Sequence, residues 1–277
     1  MTAHKRKYVI AITIVMVVVS LFFAAPLWYV LGNAFKRTNA IFKNPLLLTV
    51  DNFYTGNLVK AFKLLRYPDS FLNSMIVLVL SLFFTILAGS MAAYALMNNR
   101  SRLFKGIQTS IILMITLPLQ LAMVPLVRVA ASLGLTGTYF GVAIILAAVG
   151  LPFTIFLYCN GIRSIPKELH EAAVVDGCGY GKMYLLVYMP LLKNTTATII
   201  ILRGVAIWNE FLINQLMTTS PQKMTLPTML YSTINPRLTD WGVLFAGTLL
   251  VSLPMVIIFL LLQKAFIRGF VSGSIKG

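Results

Sequence analysis

Acidic side chains are scarce in this sequence. Its 277 residues include 7 Asp and Glu against 23 Lys and Arg, a formal net charge of +16. Charged residues make up 11% of the chain, where a soluble domain carries about 25%. Cysteine and histidine are nearly absent as well. Cys159, Cys178, His4 and His170 are too few and too scattered for a disulfide framework or a structural zinc site. No metal site is therefore expected, and both cysteines are expected to be free thiols. No Gly-x-x-x-x-Gly-Lys-Ser/Thr run occurs, so the sequence offers no phosphate-cradling loop for ATP. It also lacks the paired intramembrane carboxylates or histidines that a membrane-embedded enzyme would use.

Apolar residues are what the chain does have, at 58% of the total. One soluble core of this size cannot hide so much apolar surface, so the surface must be shared with lipid. The fold class is all-α, a polytopic membrane protein. Six stretches reach or approach the roughly 20 apolar residues that cross a bilayer: 8–35, 71–97, 106–127, 138–161, 184–216 and 241–263. The first is too long for a signal-peptide core of roughly 7–15 residues. Ser70 is a candidate N-cap for the second. The third contains Pro118 and Pro125, and the sixth contains Pro254. The fifth is the weakest, interrupted by Lys193, Arg203 and Glu210.

Basic residues close to the span ends set the orientation. Lys5, Arg6 and Lys7, the short 100–105 turn, Arg163, Lys167 and Lys182, then Lys264, Arg268 and Lys276, place the N and C termini in the cytoplasm. The 36–69 loop is also basic, but it is long and its charges are diluted. In such a chain the basic excess answers anionic lipid, and no nucleic-acid partner is expected. The sequence reads as a single transmembrane domain, 1–277, with a five-helix core region, 71–268.

Three of the seven acids, Glu168, Glu171 and Asp176, share one cytoplasmic loop, 163–183. Ser164 and Pro166 signal a helix start, and Gly177 signals its stop. The helix between them is amphipathic, with Glu168, Glu171 and Val175 near one face and Ala172, Ala173 and Asp176 near another. Gly177, Gly179 and Gly181 permit a reversal into a second short helix. A helix lying on the membrane would be basic with bulky apolar residues opposite. This one is small and acidic, which suits docking into a protein groove.

The run Glu171-Ala172-Ala173-x-x-Asp176-Gly177, followed by Tyr184, Pro190 and Leu191, resembles the Glu-Ala-Ala loop of ATP-binding-cassette (ABC) importer permeases. Trp208-Asn209-Glu210-Phe211 and the closing elements Leu253-Pro254, Gln263-Lys264, Gly269 and Ser274-Ile275-Lys276-Gly277 resemble the carbohydrate-uptake branch, in its maltose-transporter-like second permease. Three positions depart from the pattern: Cys178 for Ala, Tyr184 for Phe, and Asn194 for a frequent second Pro. The last implies a less kinked start to the fifth span.

The resemblance implies a type I permease fold in the prokaryotic plasma (inner) membrane and a non-catalytic subunit without a cofactor of its own. ATP and Mg would be bound by a partner ABC ATPase dimer. A second permease would complete the path, and an extracellular solute-binding protein would dock on loops 36–69 and 214–240. The cargo would be a carbohydrate, expectedly an oligosaccharide. Glu168, Glu171, Ala172, Ala173, Asp176 and Gly177 would couple to the ATPase, with tail 269–277 as a second contact. The alternatives are an ion-coupled secondary transporter, or the same permease role for a sugar-like solute such as a glycerophosphodiester.

Within the membrane, Arg203 and Glu210 are seven residues apart, one stripe of a helix. Charges there face a bundle interior or a water-filled cavity, as a translocation wall or as a structural ion pair. Gln120, Trp208 and Asn209 join them as candidate path residues, with Thr116 and Tyr139 as further possible sugar contacts. Gly137 and Gly141 have the spacing of a close helix seam.

Overall fold

The computed structural model describes residues 3–99, 101–235 and 239–274, with side chains described from Tyr8 to Leu261 within those ranges. Among the described residues the structure is helical throughout, with one isolated bridge between Lys36 and Phe53 as its only extended pairing. Apolar runs of this length can satisfy every backbone group in lipid only as helices. Four helices are long and apolar enough to cross a membrane: Tyr8–Ala34, Tyr67–Asn98, Tyr139–Arg163 and Trp241–Leu261. Two bent pairs bring the total to six if each counts as one span.

The bent pairs revise the expected third and fifth spans. Arg102–Thr116 and Leu119–Ser132 meet at 107°, with the break at Leu117-Pro118. Pro118 has no N–H to continue the ladder and forces Leu117 into extended backbone (φ −77°, ψ 129°). Pro125, Pro152 and Pro254 instead lie inside continuous helices. Tyr180–Leu191 and Lys193–Trp208 meet at 72°, so Asn194 does not straighten this region. The second span starts at Tyr67, which makes Ser70 a buried helical residue rather than the N-cap. Lys5, Arg6 and Lys7, with Lys264, Arg268 and the rest of the closing tail, lie outside the described side chains. Arg100 and Ile275–Gly277 lie outside the described residues altogether.

The chain forms two compact units. One comprises the residues up to Tyr67 with Leu230–Pro254. Its small core holds Ala34, Ala61, Val243 and Ala246. Lys36 is fully buried there, its Nζ donating to Asn33 Oδ1 (3.1 Å), Asn44 O (3.0 Å) and Pro45 O (3.2 Å). Desolvation lowers its pKa below that of a free lysine, and the three oxygens offset the cost of burying the charge. Lys36 is thus a structural cation, although the sequence suggests a solvated loop charge. Asp240 accepts from Thr38 Oγ1 (2.7 Å) and Val243 N (3.4 Å), which caps the Trp241–Ser274 helix. Asp240→Ala is expected to cost about 1 kcal/mol. Thermal unfolding in detergent should show a lowered midpoint, largely restored in Asp240→Asn, and an unchanged midpoint in Asp240→Ala would remove the cap from the account.

The other unit comprises Pro68–Met229 and the residues from Met255 on. Tyr139–Arg163 is its central post, with Arg102–Thr116 and Lys193–Trp208 packed against it. Gly89 allows Tyr67–Asn98 to approach the same post, since a Cβ there would lie 2.6 Å from Thr154 Cγ2. Gly137 and Gly141 do not form a helix seam. Gly137 sits in the preceding turn at φ +72°, and a Cβ on Gly141 would meet the Leu135 carbonyl oxygen at 1.8 Å.

Candidate functional site

The second unit has two chemically different ends. At one, Tyr67–Asn98 and Tyr139–Arg163 terminate, Arg102–Thr116 begins, and the short Lys167–Val175 helix lies beside them. That helix follows the sequence signals closely. Pro166 precedes it in extended backbone (ψ 136°), and Glu168 in its first turn complements the helix dipole. Its C-terminus is a Schellman turn: Gly177 takes φ +75°, Gly177 N donates to Val174 O (3.0 Å), and Cys178 N donates to Ala173 O (2.9 Å). Gly177 is required here because a side chain in the left-handed region costs roughly 1–2 kcal/mol.

The six residues assigned to this helix and its stop divide by direction. Glu168, Glu171, Ala172, Asp176 and Gly177 are exposed, along with Val175 at 86%. Ala173 turns the other way, 7% exposed and packed into a core with Ala93, Tyr94, Ile162, Met183 and Tyr188. Its small size serves close approach to the chain's own spans, not to a partner. The outward face is thus a carboxylate row beside small and branched apolar groups, with the helix seated firmly on the bundle.

Aromatic residues provide that seat. His170 Nδ1 and Tyr188 Oη are 3.0 Å apart, and their rings pack edge-on at 6.1 Å. Tyr184 Oη is 2.8 Å from Ser90 Oγ, and Tyr94 Oη donates to Tyr180 O at 3.2 Å. Tyr184 and Tyr188 lie in a π-helical turn, Met183–Tyr188. The sequence reading missed this cluster, although Tyr180, Tyr184 and Tyr188 recur every fourth residue. Cys159 is buried in the same core and Cys178 is half-buried, both as free thiols.

The intramembrane candidates are not brought together as one stripe. The Lys193–Trp208 helix stops two residues short of Glu210, whose carboxylate accepts from Ile213 N (2.8 Å) at the start of Leu212–Met217. Trp208 is 3% exposed, edge-on to Phe71 at 6.1 Å, and so has no free face for a sugar. Asn209 is exposed with its amide turned back to Val205 O (2.9 Å). Gln120 is exposed just after the Pro118 break, and Thr116 Oγ1 donates to Leu113 O. Tyr139 Oη donates to Asn73 Oδ1 (2.7 Å), while Asn73 Nδ2 donates to Gln222 O and Met224 O. That hydroxyl orients the Asn73 amide, which ties the backbone at Gln222 and Met224 to the second span.

Arg203 still interacts electrostatically with Glu210 across the helix end. Its Nη2 donates to Leu146 O (3.2 Å), and its Nε is buried without a partner. Gly150 makes the room, because a Cβ there would lie 2.3 Å from Nη2. Among the described residues no group of three or more His, Cys, Asp or Glu could hold a metal ion.

The family model for the binding-protein-dependent transport system inner membrane component matches residues 85–272. A probable ABC transporter permease of Bacillus subtilis is 35% identical over 279 aligned residues, covering 99% of this chain and 91% of that protein. A melibiose/raffinose/stachyose import permease of Bacillus subtilis is 33% identical across 100% of both chains. A chain of a bacterial ABC transporter that imports the acidic polysaccharide alginate superposes with a TM-score of 0.79. It covers 95% of this chain and 98% of its own, at 22% identity.

Proposed function

The chain belongs to the family of binding-protein-dependent transport system inner membrane components, and from that premise we propose how it is driven and what it carries. It is a multi-pass permease subunit of an ABC importer. We assign it a carbohydrate cargo, an oligosaccharide, in keeping with the import permease for melibiose, raffinose and stachyose that it matches end to end. A second permease completes the pathway, an extracellular binding protein delivers the solute, and a separate ATPase dimer binds and hydrolyses ATP with Mg.

The observation that carries the coupling part is the Lys167–Val175 helix. It exposes Glu168, Glu171, Ala172 and Asp176 and is closed by a glycine stop. Glu168 and Glu171 on one exposed flank offer carboxylates to basic groups of the ATPase, and Ala172 admits close backbone approach. A short helix bound rigidly at its back can pass on a displacement without absorbing it. The basic residues Arg102, Lys105, Arg163, Lys167 and Lys182 lie on the segments at this end, which supports a cytoplasmic side for it.

The test is co-purification from native membranes with a tag at the N-terminus, read by mass spectrometry. One ABC ATPase and one second permease are expected to accompany the chain. Its recovery alone or as a homodimer, in detergent that preserves other membrane complexes, would overturn the proposal.

A further inference from the structure

The aromatic cluster behind the loop helix has no part in the function as stated so far. It forms an unbroken line. His170, on the loop helix, pairs with Tyr188. The Tyr188 ring packs edge-on against Tyr94 at 5.1 Å, and Tyr94 packs on Tyr184 at 5.4 Å. Tyr184 ends the line on Ser90. Tyr94 and Ser90 belong to Tyr67–Asn98, while Tyr184 and Tyr188 belong to the π turn. Every hydroxyl in the line is engaged, and Ser90, Tyr94 and Tyr188 are buried.

We propose that the His170–Tyr188–Tyr94–Tyr184–Ser90 line is a latch that fixes the loop helix to the Tyr67–Asn98 span, with the Tyr184 and Tyr188 hydroxyls as its positioning groups. The geometry explains why hydroxyls are present. Rings alone give adhesion but permit sliding, and hydrogen bonds at each end of the line fix its register. A π turn, with its looser i→i−5 ladder, is where a helix most readily changes register, so clamps are placed on both of its tyrosines. Tyr184 stands where the resembling permeases have Phe, and the Ser90 bond is what the additional oxygen makes possible. The latch deepens the coupling role proposed above and rests on it for its purpose, though not for its existence.

Amide hydrogen exchange of the purified chain and of the complex isolated with its ATPase tests both parts. Tyr188→Phe and Tyr184→Phe keep the rings and remove one hydroxyl each. Tyr188→Phe is expected to speed exchange across residues 167–175 about fivefold, the loss of one hydrogen bond of about 1 kcal/mol, with 139–163 unchanged. Tyr184→Phe and Ser90→Ala should each speed exchange around the π turn, and their combination should do no more than Ser90→Ala alone, which already deletes the Tyr184 bond along with the Ser90 bond to Ile86 O. A merely structural role would loosen residues 139–163 as well. In the complex, ATP with vanadate should alter exchange around Ser90 in the wild type, and Tyr188→Phe should at least halve that response. Wild-type exchange at 167–175 in Tyr188→Phe, or an undiminished nucleotide response, would overturn the latch. Failure to recover any ATPase would instead count against the importer reading, and exchange on the chain alone would still decide whether the latch exists.

Discussion

Glu171→Lys is expected to release the ATPase from the complex while the second permease stays bound, with solute uptake falling to background. Glu171 is exposed in the middle of the Lys167–Val175 helix, with no side-chain hydrogen bond or ion pair among the described residues to lose. Reversing its charge therefore leaves the fold alone and acts on whatever docks there. A rim charge facing a basic partner surface contributes modestly, but its reversal places like charges together at a cost of several kcal/mol, at least a hundredfold in affinity at about 1.4 kcal/mol per tenfold. Gly177→Leu reaches the same end by another route. It forces a side chain into φ +75°, so the Schellman turn opens and the helix loses its fixed stop. The two variants should differ in one respect: high salt should weaken the wild-type association and mimic Glu171→Lys, but should not mimic Gly177→Leu. Normal uptake by either variant at normal membrane levels would refute the coupling role.

The parts of this chain that were readable in the sequence are those governed by local rules. Apolar length marked the spans, and Gly177 announced its left-handed turn because few other residues tolerate one. The misreadings arose where a local signal competed with tertiary contacts. Pro118 and Pro125 look alike as sequence, yet the helix breaks at Pro118 and runs on through Pro125. Helical spacing put Arg203 and Glu210 on one stripe, yet the helix ends at Trp208 and the two groups interact across its end rather than along it. Ala173 and Ala172 are chemically identical, and only the packing of Tyr188 and Met183 shows which one turns inward. The aromatic latch depends on residues some 80–100 positions apart, Ser90 with Tyr184 among them. Such partners are set by packing of the whole bundle, which no periodicity encodes.

Arg203→Ala is expected to reduce transport about tenfold or more while the chain still assembles with its partners. A guanidinium inside a span costs about 2.5–3.5 kcal/mol on insertion scales, so its retention calls for a compensating role. Within the chain Arg203 meets Leu146 O through Nη2 and the Glu210 carboxylate electrostatically. Leu146 O lies inside the Tyr139–Arg163 helix. Nε meanwhile is buried with no hydrogen-bond acceptor among the described residues. Gly150 opposite keeps the space clear for the guanidinium. Transport lost with assembly intact is the result that would mark Arg203 as part of the path wall. Arg203→Lys should not restore transport, because an ammonium cannot offer the planar fork that holds Leu146 O with one arm and leaves Nε free. The readout is accumulation of the labelled oligosaccharide that supports growth, alongside recovery of the second permease. A complex lost in proportion to transport would instead make Arg203 a structural tie.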